Sequence, residues 1–148
     1  MTTPTIWHDG ALEWLSPLGW PSLTFKAMLW HETSTAAPAE SDIYVADLVP
    51  ASNELVNDDY DRVTVTGKTS TLVAGAYELA ANTVSFGVLS GATLTQGCSG
   101  WSVYAHIGAD SANILIASRT FDPVTFNGTE VTIPFPDGIF ARQRRATP

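Results

Sequence analysis

Charge is scarce in this chain: Asp, Glu, Lys and Arg make up 15% of 148 residues, against 45% for the apolar set. That balance excludes a disordered polyelectrolyte, which has too little apolar surface to offset its chain entropy. It describes one domain, long enough to bury a core without metal or disulfide support. It also leaves fewer surface Lys and Glu than a small soluble domain carries, as a face covered by neighbours would. Cysteine is reduced to Cys98, so an intrachain disulfide is excluded and nothing points to oxidative maturation. No apolar run approaches the ~18 residues of a membrane helix, and Met1-Thr2-Thr3-Pro4 lacks the basic and apolar regions of a signal peptide. The expectation is a soluble protein made in the cytoplasm, without a membrane partner. Metal-ligand spacing is missing too: His8, His31 and His106 have no second ligand at an H-x-x-x-H or C-x-x-C interval, so no metal or cofactor is expected.

What charge there is lies unevenly. All fifteen acidic side chains precede Arg142, while Arg142, Arg144 and Arg145 make the last seven residues basic. An acidic body repels a phosphate backbone, so direct nucleic-acid binding is not expected. The Arg tail, residues 142–148, reads either as a solvated terminus or as an arm that docks on an acidic neighbour.

Residues 1–22 form a Trp-rich segment with Trp7, Trp14 and Trp20 close together and Pro17 and Pro21 as breakers. Asp9 is placed to cap one short helix through Ala11-Leu12-Glu13-Trp14-Leu15, which Pro17 prevents from continuing. Such a helix does not persist unaided, and a small domain has difficulty burying every one of these side chains. Trp7, Leu12, Trp14, Leu15 and Trp20, with the three tail arginines, are therefore candidates for subunit contacts. Deleting residues 1–22 should then weaken association more than folding.

Residues 23–141 carry period-two patterns. Strands are expected at Leu23 to Trp30, Arg62 to Thr66, Asn82 to Phe86 after an Ala-rich turn, Trp101 to Ile107 and Asn113 to Ala117, with a long polar loop from His31 to Asp42. Gly108 to Ser111 joins two of these as a hairpin. Asn127-Gly128 between Pro123 to Phe126 and Thr129 to Ile133 is the strongest hairpin signal, since both residues tolerate positive φ. Pro134 and Pro136 end the sheet or mark an edge. About eight short strands with little helix between them predict a mainly β domain, an antiparallel sandwich or barrel with one short N-terminal helix.

Few residues invite chemistry. Gly97-Cys98-Ser99-Gly100 reads as a turn that either exposes a nucleophilic thiol or simply precedes a strand. Asp58, Asp59 and Asp61 around Tyr60 read as a solvated acidic turn or a calcium loop, without the D-x-D-x-D-G order of an EF-hand. His106 is expected on the polar side of its strand, and no acid/base carboxylate pair stands out. No catalytic residue is assigned.

The order of local patterns from Phe25 to about Ala141 resembles a group of small tailed-phage virion proteins described as minor capsid, decoration or minor tail proteins. The resemblance is carried by a helix-like lead at Ala11 to Leu15, then Phe25-Lys26-Ala27-Met28-Leu29, Tyr60 to Gly67 after the acidic loop, and Asn82-Thr83-Val84-Ser85-Phe86. Val103-Tyr104 before Gly108, Leu115-Ile116 before Phe121-Asp122, and Phe126-Asn127-Gly128-Thr129 before Pro136-Asp137-Gly138-Ile139-Phe140 complete it. The Trp-rich start and the Arg tail depart from the group's pattern. The resemblance implies a β-rich accessory subunit of the virion without catalytic residues, bound to the major capsid protein and to sister copies. The alternatives are a tail or baseplate adsorption module that binds host glycans through exposed aromatics, and a ligand-binding sandwich outside any virion.

Overall fold

The computed structural model describes residues 5–89, 97–135 and 138–144, and the side chains of all of these except Leu12, Glu13 and residues 142–144. Among them are ten strands: β1 (Ile6–Trp7), β2 (Phe25–His31), β3 (Val63–Thr64), β4 (Thr69–Val73), β5 (Ala76–Ala80), β6 (Val84–Val88), β7 (Gly97–Ala105), β8 (Ile114–Thr125), β9 (Glu130–Ile133) and β10 (Ile139–Arg144). The protein is mainly β, and its strand pairs are antiparallel.

The main sheet runs β1-β8-β7-β2-β3. Its central strands are apolar on both faces because both faces are covered. Phe25, Ala27 and Leu29 of β2, with Val103 of β7 and Ile116 of β8, face one core. Met28, Trp30, Tyr104 and Leu115 face a second, smaller one closed by Val45 and Leu48. These last two come from a 3-10 turn (Val45–Leu48) at the end of the long loop after β2; a helical turn at Pro50–Asn53 follows it. Asn53 fastens that loop, accepting the Thr35 amide at 2.9 Å and donating to the Leu48 carbonyl at 3.0 Å.

Two smaller sheets, β10-β5-β4 and β6-β9, complete the larger core with Leu79, Val84, Phe86, Ile133 and Phe140. The arrangement is sandwich-like, as the strand pattern predicts. Four details differ from the sequence reading. First, Asn127-Gly128 reverses the chain, with Gly128 at φ 82° and Asn127 Oδ1 accepting the Thr129 amide at 3.2 Å, yet β8 and β9 do not pair. That side-chain-capped turn swings the chain out of hairpin register, and β9 pairs with β6 through Val84↔Ile133 and Ser85↔Thr132. Second, the Ala-rich stretch is no mere turn: it is the β4–β5 hairpin, closed by Ala74 and Gly75 at φ 48° and 83°. Third, helix α1 (Ala11–Trp14) is capped by Gly10 and not by Asp9, and a second turn, α2 (Gly19–Ser22), follows it. Fourth, the ends are part of the domain. β1 joins the main sheet through Trp7↔Ala117, and β10 crosses the expected boundary at residue 142 by pairing Arg142↔Glu78 and Arg144↔Ala76.

Candidate functional site

Trp20 is the largest correction among the candidate interface residues. It has no exposed surface. Its ring stacks parallel to Phe140 at 4.7 Å and tilts against Phe25 at 4.8 Å, and its indole N–H donates to the Ala80 carbonyl at 2.8 Å. A short helical turn holds the side chain there, so this residue anchors the core and offers nothing to a neighbour. Leu15 is likewise buried, and Trp14 is half-buried against the same core. Among the candidates whose side chains are described, Trp7 alone keeps a large free surface, 41% exposed, while its ring edge meets Phe140 at 5.4 Å. Leu12 lies on α1 and Arg142 and Arg144 lie on β10, but the side chains of these three, and all of Arg145, are outside the described residues.

The glycine-flanked cysteine is not on a turn. Residues 97–100 begin β7, and Cys98 is buried facing the larger core. Burial, and then the nearby Glu32 carboxylate, push its thiol up to about 11, so it stays protonated at neutral pH. The glycines are there for close approach. A β-carbon at Gly100 would stand 2.6 Å from the Arg119 carbonyl oxygen, and one at Gly97 would stand 2.4 Å from that of Val124. The acidic turn does not converge on a cation either. Asn57 Oδ1 accepts the Asp59 amide at 3.0 Å, and no group of three ligating side chains occurs among the described residues.

Two polar networks have no spacing signature in the sequence. The first crosses the main sheet beneath its smaller core. Trp30 Nε1 donates to Ser102 Oγ at 3.1 Å, Ser102 and Ser118 hydroxyls meet at 2.7 Å, and Ser118 Oγ meets His8 Nε2 at 2.8 Å. An indole N–H only donates, so Ser102 Oγ accepts from Trp30, while the two serine hydroxyls and His8 Nε2 can each give or take a proton along the rest of the line. Nδ1 makes no hydrogen bond of good geometry. Burial holds the His8 pKa below its ordinary value, although the backbone of Ala39 and Asp42 and the carboxylates of Asp42 and Asp9 favour the charged form. His8, Ser102 and Ser118 are all buried. The serine–histidine pair is thus sealed from solvent.

The second network is a brace on Arg62. Its guanidinium is bidentate to Glu54, at 2.7 Å for both bonds, and bidentate to Asp110 at 2.7 and 3.0 Å, and it also donates to the Tyr104 hydroxyl at 3.2 Å. Tyr60 donates to Glu54 at 2.8 Å and accepts the Leu29 amide at 3.1 Å. Hydrogen bonding to Arg62 lowers the pKa of Asp110, and burial raises that of Tyr60. The planar fork is fully used in tying the β7–β8 connection to the loop after Asn53.

One end of the larger core is open. A cavity of about 400 Å³ lies between β8 and β9, floored by Leu29 and Cys98 and walled by Trp101, Phe121, Phe126 and Val131, with Arg119 and Glu130 among its polar groups. Its size and mixed lining suit a small ligand. His106 is exposed because it lies just past the end of β7; the expected polar side of that strand is in fact covered, since Ser102 and Tyr104 in the same phase are buried at the smaller core. No helix among the described residues is long and apolar enough to cross a membrane. No family model, no curated protein and no solved structure matches the chain.

Proposed function

We propose that the chain is a non-enzymatic structural subunit of a tailed-phage particle, a head decoration or minor capsid protein that works through contacts with the major capsid protein and with sister copies. One observation supports this above others: three of the groups best able to do chemistry are buried or engaged inside the fold. Cys98 is buried and protonated, His8 is sealed against Ser118, and Arg62 is saturated by two carboxylates and a tyrosine. The resemblance in motif order supports the particle, and an acidic body suits the outside of a DNA-filled head because it does not compete for phosphates. Weak contacts suffice where many copies are displayed, since avidity multiplies them. Trp7 and Leu18, the latter 87% exposed, are N-terminal side chains that supply such contacts.

The test is mass spectrometry and immunogold labelling of purified particles of the phage that encodes the chain. The expected result is the protein on the head surface, in many copies and reduced by Trp7→Ala. Its absence from particles would overturn the proposal. The aromatic cavity favours one second reading, an adsorption module on the tail that binds host glycans by stacking a sugar ring on Trp101. Tail labelling together with glycan binding abolished by Trp101→Ala would decide for it.

A further inference from the structure

Five asparagines stand in this chain, followed in turn by Glu54, Asp58, Thr83, Ile114 and Gly128. Asparagine is a thermolabile residue: the amide nitrogen of the next residue can close a five-membered ring on the side-chain carbonyl carbon and expel ammonia. Closure needs that nitrogen unobstructed, free of other bonds and held near a polarised carbonyl. Asn53, Asn57 and Asn113 are buried, and the amide after Asn53 is already given to the Pro50 carbonyl at 2.9 Å. Asn82 is exposed, but Thr83 follows it, and a branched β-carbon crowds the approach. Asn127 differs from all four. It is exposed, and the residue after it has no side chain to stand in the path of the ring. The Gly128 amide has no acceptor among the described residues. A turn inside a hairpin ladder is clamped by its flanking strands, but β8 and β9 do not pair. The carboxamide is turned forward along the chain, where Asn127 Oδ1 accepts the Thr129 amide at 3.2 Å and the Thr129 hydroxyl at 2.5 Å. These two donors sit where negative charge gathers as the ring closes, which is the arrangement of an oxyanion hole.

We infer that Asn127 is a self-modification site, at which the folded chain converts its own side-chain amide to a carboxylate with water as the only co-reactant. The Gly128 nitrogen gives its proton to a solvent base and bonds to Asn127 Cγ. The Cγ–Nδ2 bond then breaks, and the departing nitrogen takes up a proton and leaves as ammonia. Water opens the resulting succinimide at either of its carbonyls, leaving aspartate or isoaspartate at position 127. Either product adds one negative charge to the lining of the aromatic cavity, to which Asn127 and Glu130 both belong. Aspartate keeps the acceptor that the Thr129 donors use. Isoaspartate lengthens the main chain by a carbon in the turn that carries it from β8 to β9.

The test incubates the full chain at neutral and mildly alkaline pH, folded and in urea, and follows it by peptide mass spectrometry, isoelectric focusing and enzymatic methylation of isoaspartate. The folded protein is expected to give one acidic product, modified at Asn127 and absent from Asn127→Gln. It should form faster as pH rises, because the attacking nitrogen must lose a proton. Thr129→Val keeps the branched shape and removes the hydroxyl donor. With its circular dichroism unchanged, it should slow the folded reaction about fivefold, the worth of one hydrogen bond. In urea, where the turn is lost, the same substitution should leave the rate as it was. Three results would each overturn the inference: a folded chain that keeps the Asn127 amide while the unfolded chain loses it, modification at another asparagine in its place, or folded Thr129→Val reacting at the wild-type rate.

Discussion

Replacing Trp20 with alanine should cost a large part of the stability this domain has. A buried Trp removes on the order of 200 Å² from water, and at roughly 25 cal/mol per Å² that is about 5 kcal/mol before the alanine's own share is returned. Loss of the indole hydrogen bond leaves the Ala80 carbonyl without that donor and adds about 1 kcal/mol. Because Phe140, Phe25 and Trp20 pack ring on ring, partial collapse is opposed by the two remaining rings. The net expectation is a loss of about 4 kcal/mol, within the usual range for a buried Trp→Ala change. Small domains have about 5–15 kcal/mol in total, so the variant should be marginal. Urea unfolding followed by circular dichroism measures it, with Trp20→Phe as the control that keeps one aromatic ring but loses the N–H and part of the indole's bulk, at about 1–2 kcal/mol. A Trp20→Ala loss below about 1 kcal/mol would refute the account of Trp20 as a core residue. Deletion of residues 1–22 removes the same anchor and strand β1 besides. It should therefore unfold the β domain, the reverse of what the Trp-rich segment suggests when its tryptophans are read as subunit contacts.

Three further outcomes follow from the same geometry. His8 is held neutral in the folded state while an unfolded chain protonates it near its ordinary 6.5, so stability should fall as pH drops below about 6.5; His8→Gln, compared by thermal melts at pH 7 and pH 5, should flatten that fall, and an unchanged slope would contradict it. Gly100→Ala places a β-carbon against the Arg119 carbonyl and should destabilise by about 1–3 kcal/mol in chemical denaturation; a neutral result would mean β8 yields easily. Val49 has φ 51°, unfavourable for a β-branched residue, and is exposed; Val49→Asn should raise the melting temperature by about 2–4 °C, for roughly 1 kcal/mol of relieved strain.

The parts of the fold legible in the sequence are those whose signal is local. β2 and the first half of β8 read as strands because both faces need apolar residues, whereas the expected strand from Arg62 to Thr66 keeps only Val63–Thr64 and ends before Gly67, which turns at φ 64°. β4 and β5 were hidden because Thr69-Ser70-Thr71 has no apolar phase and the alanines at 76 and 80 dilute the Tyr77 and Leu79 alternation; the Ala74-Gly75 turn was the remaining cue. β10 was masked by its arginines. Asn127-Gly128 predicts a turn, and the turn is there, but the partner of β9 is chosen by where Ile133 finds the core, 49 positions from its partner Val84 in β6. His8, Trp30, Ser102 and Ser118, like Glu54, Arg62 and Asp110, are scattered along the chain, so no spacing rule could assemble either network.

The stack of Trp20 on Phe140 ties the second tenth of the chain to its last. A ribosome must deliver residue 140 before that ring pair can close, so a nascent chain stalled earlier exposes an indole and its apolar neighbours to chaperones and proteases. Quality control is thereby written into the core: an incomplete translation product lacks the partner for its own tryptophan and should be cleared before it reaches an assembly line.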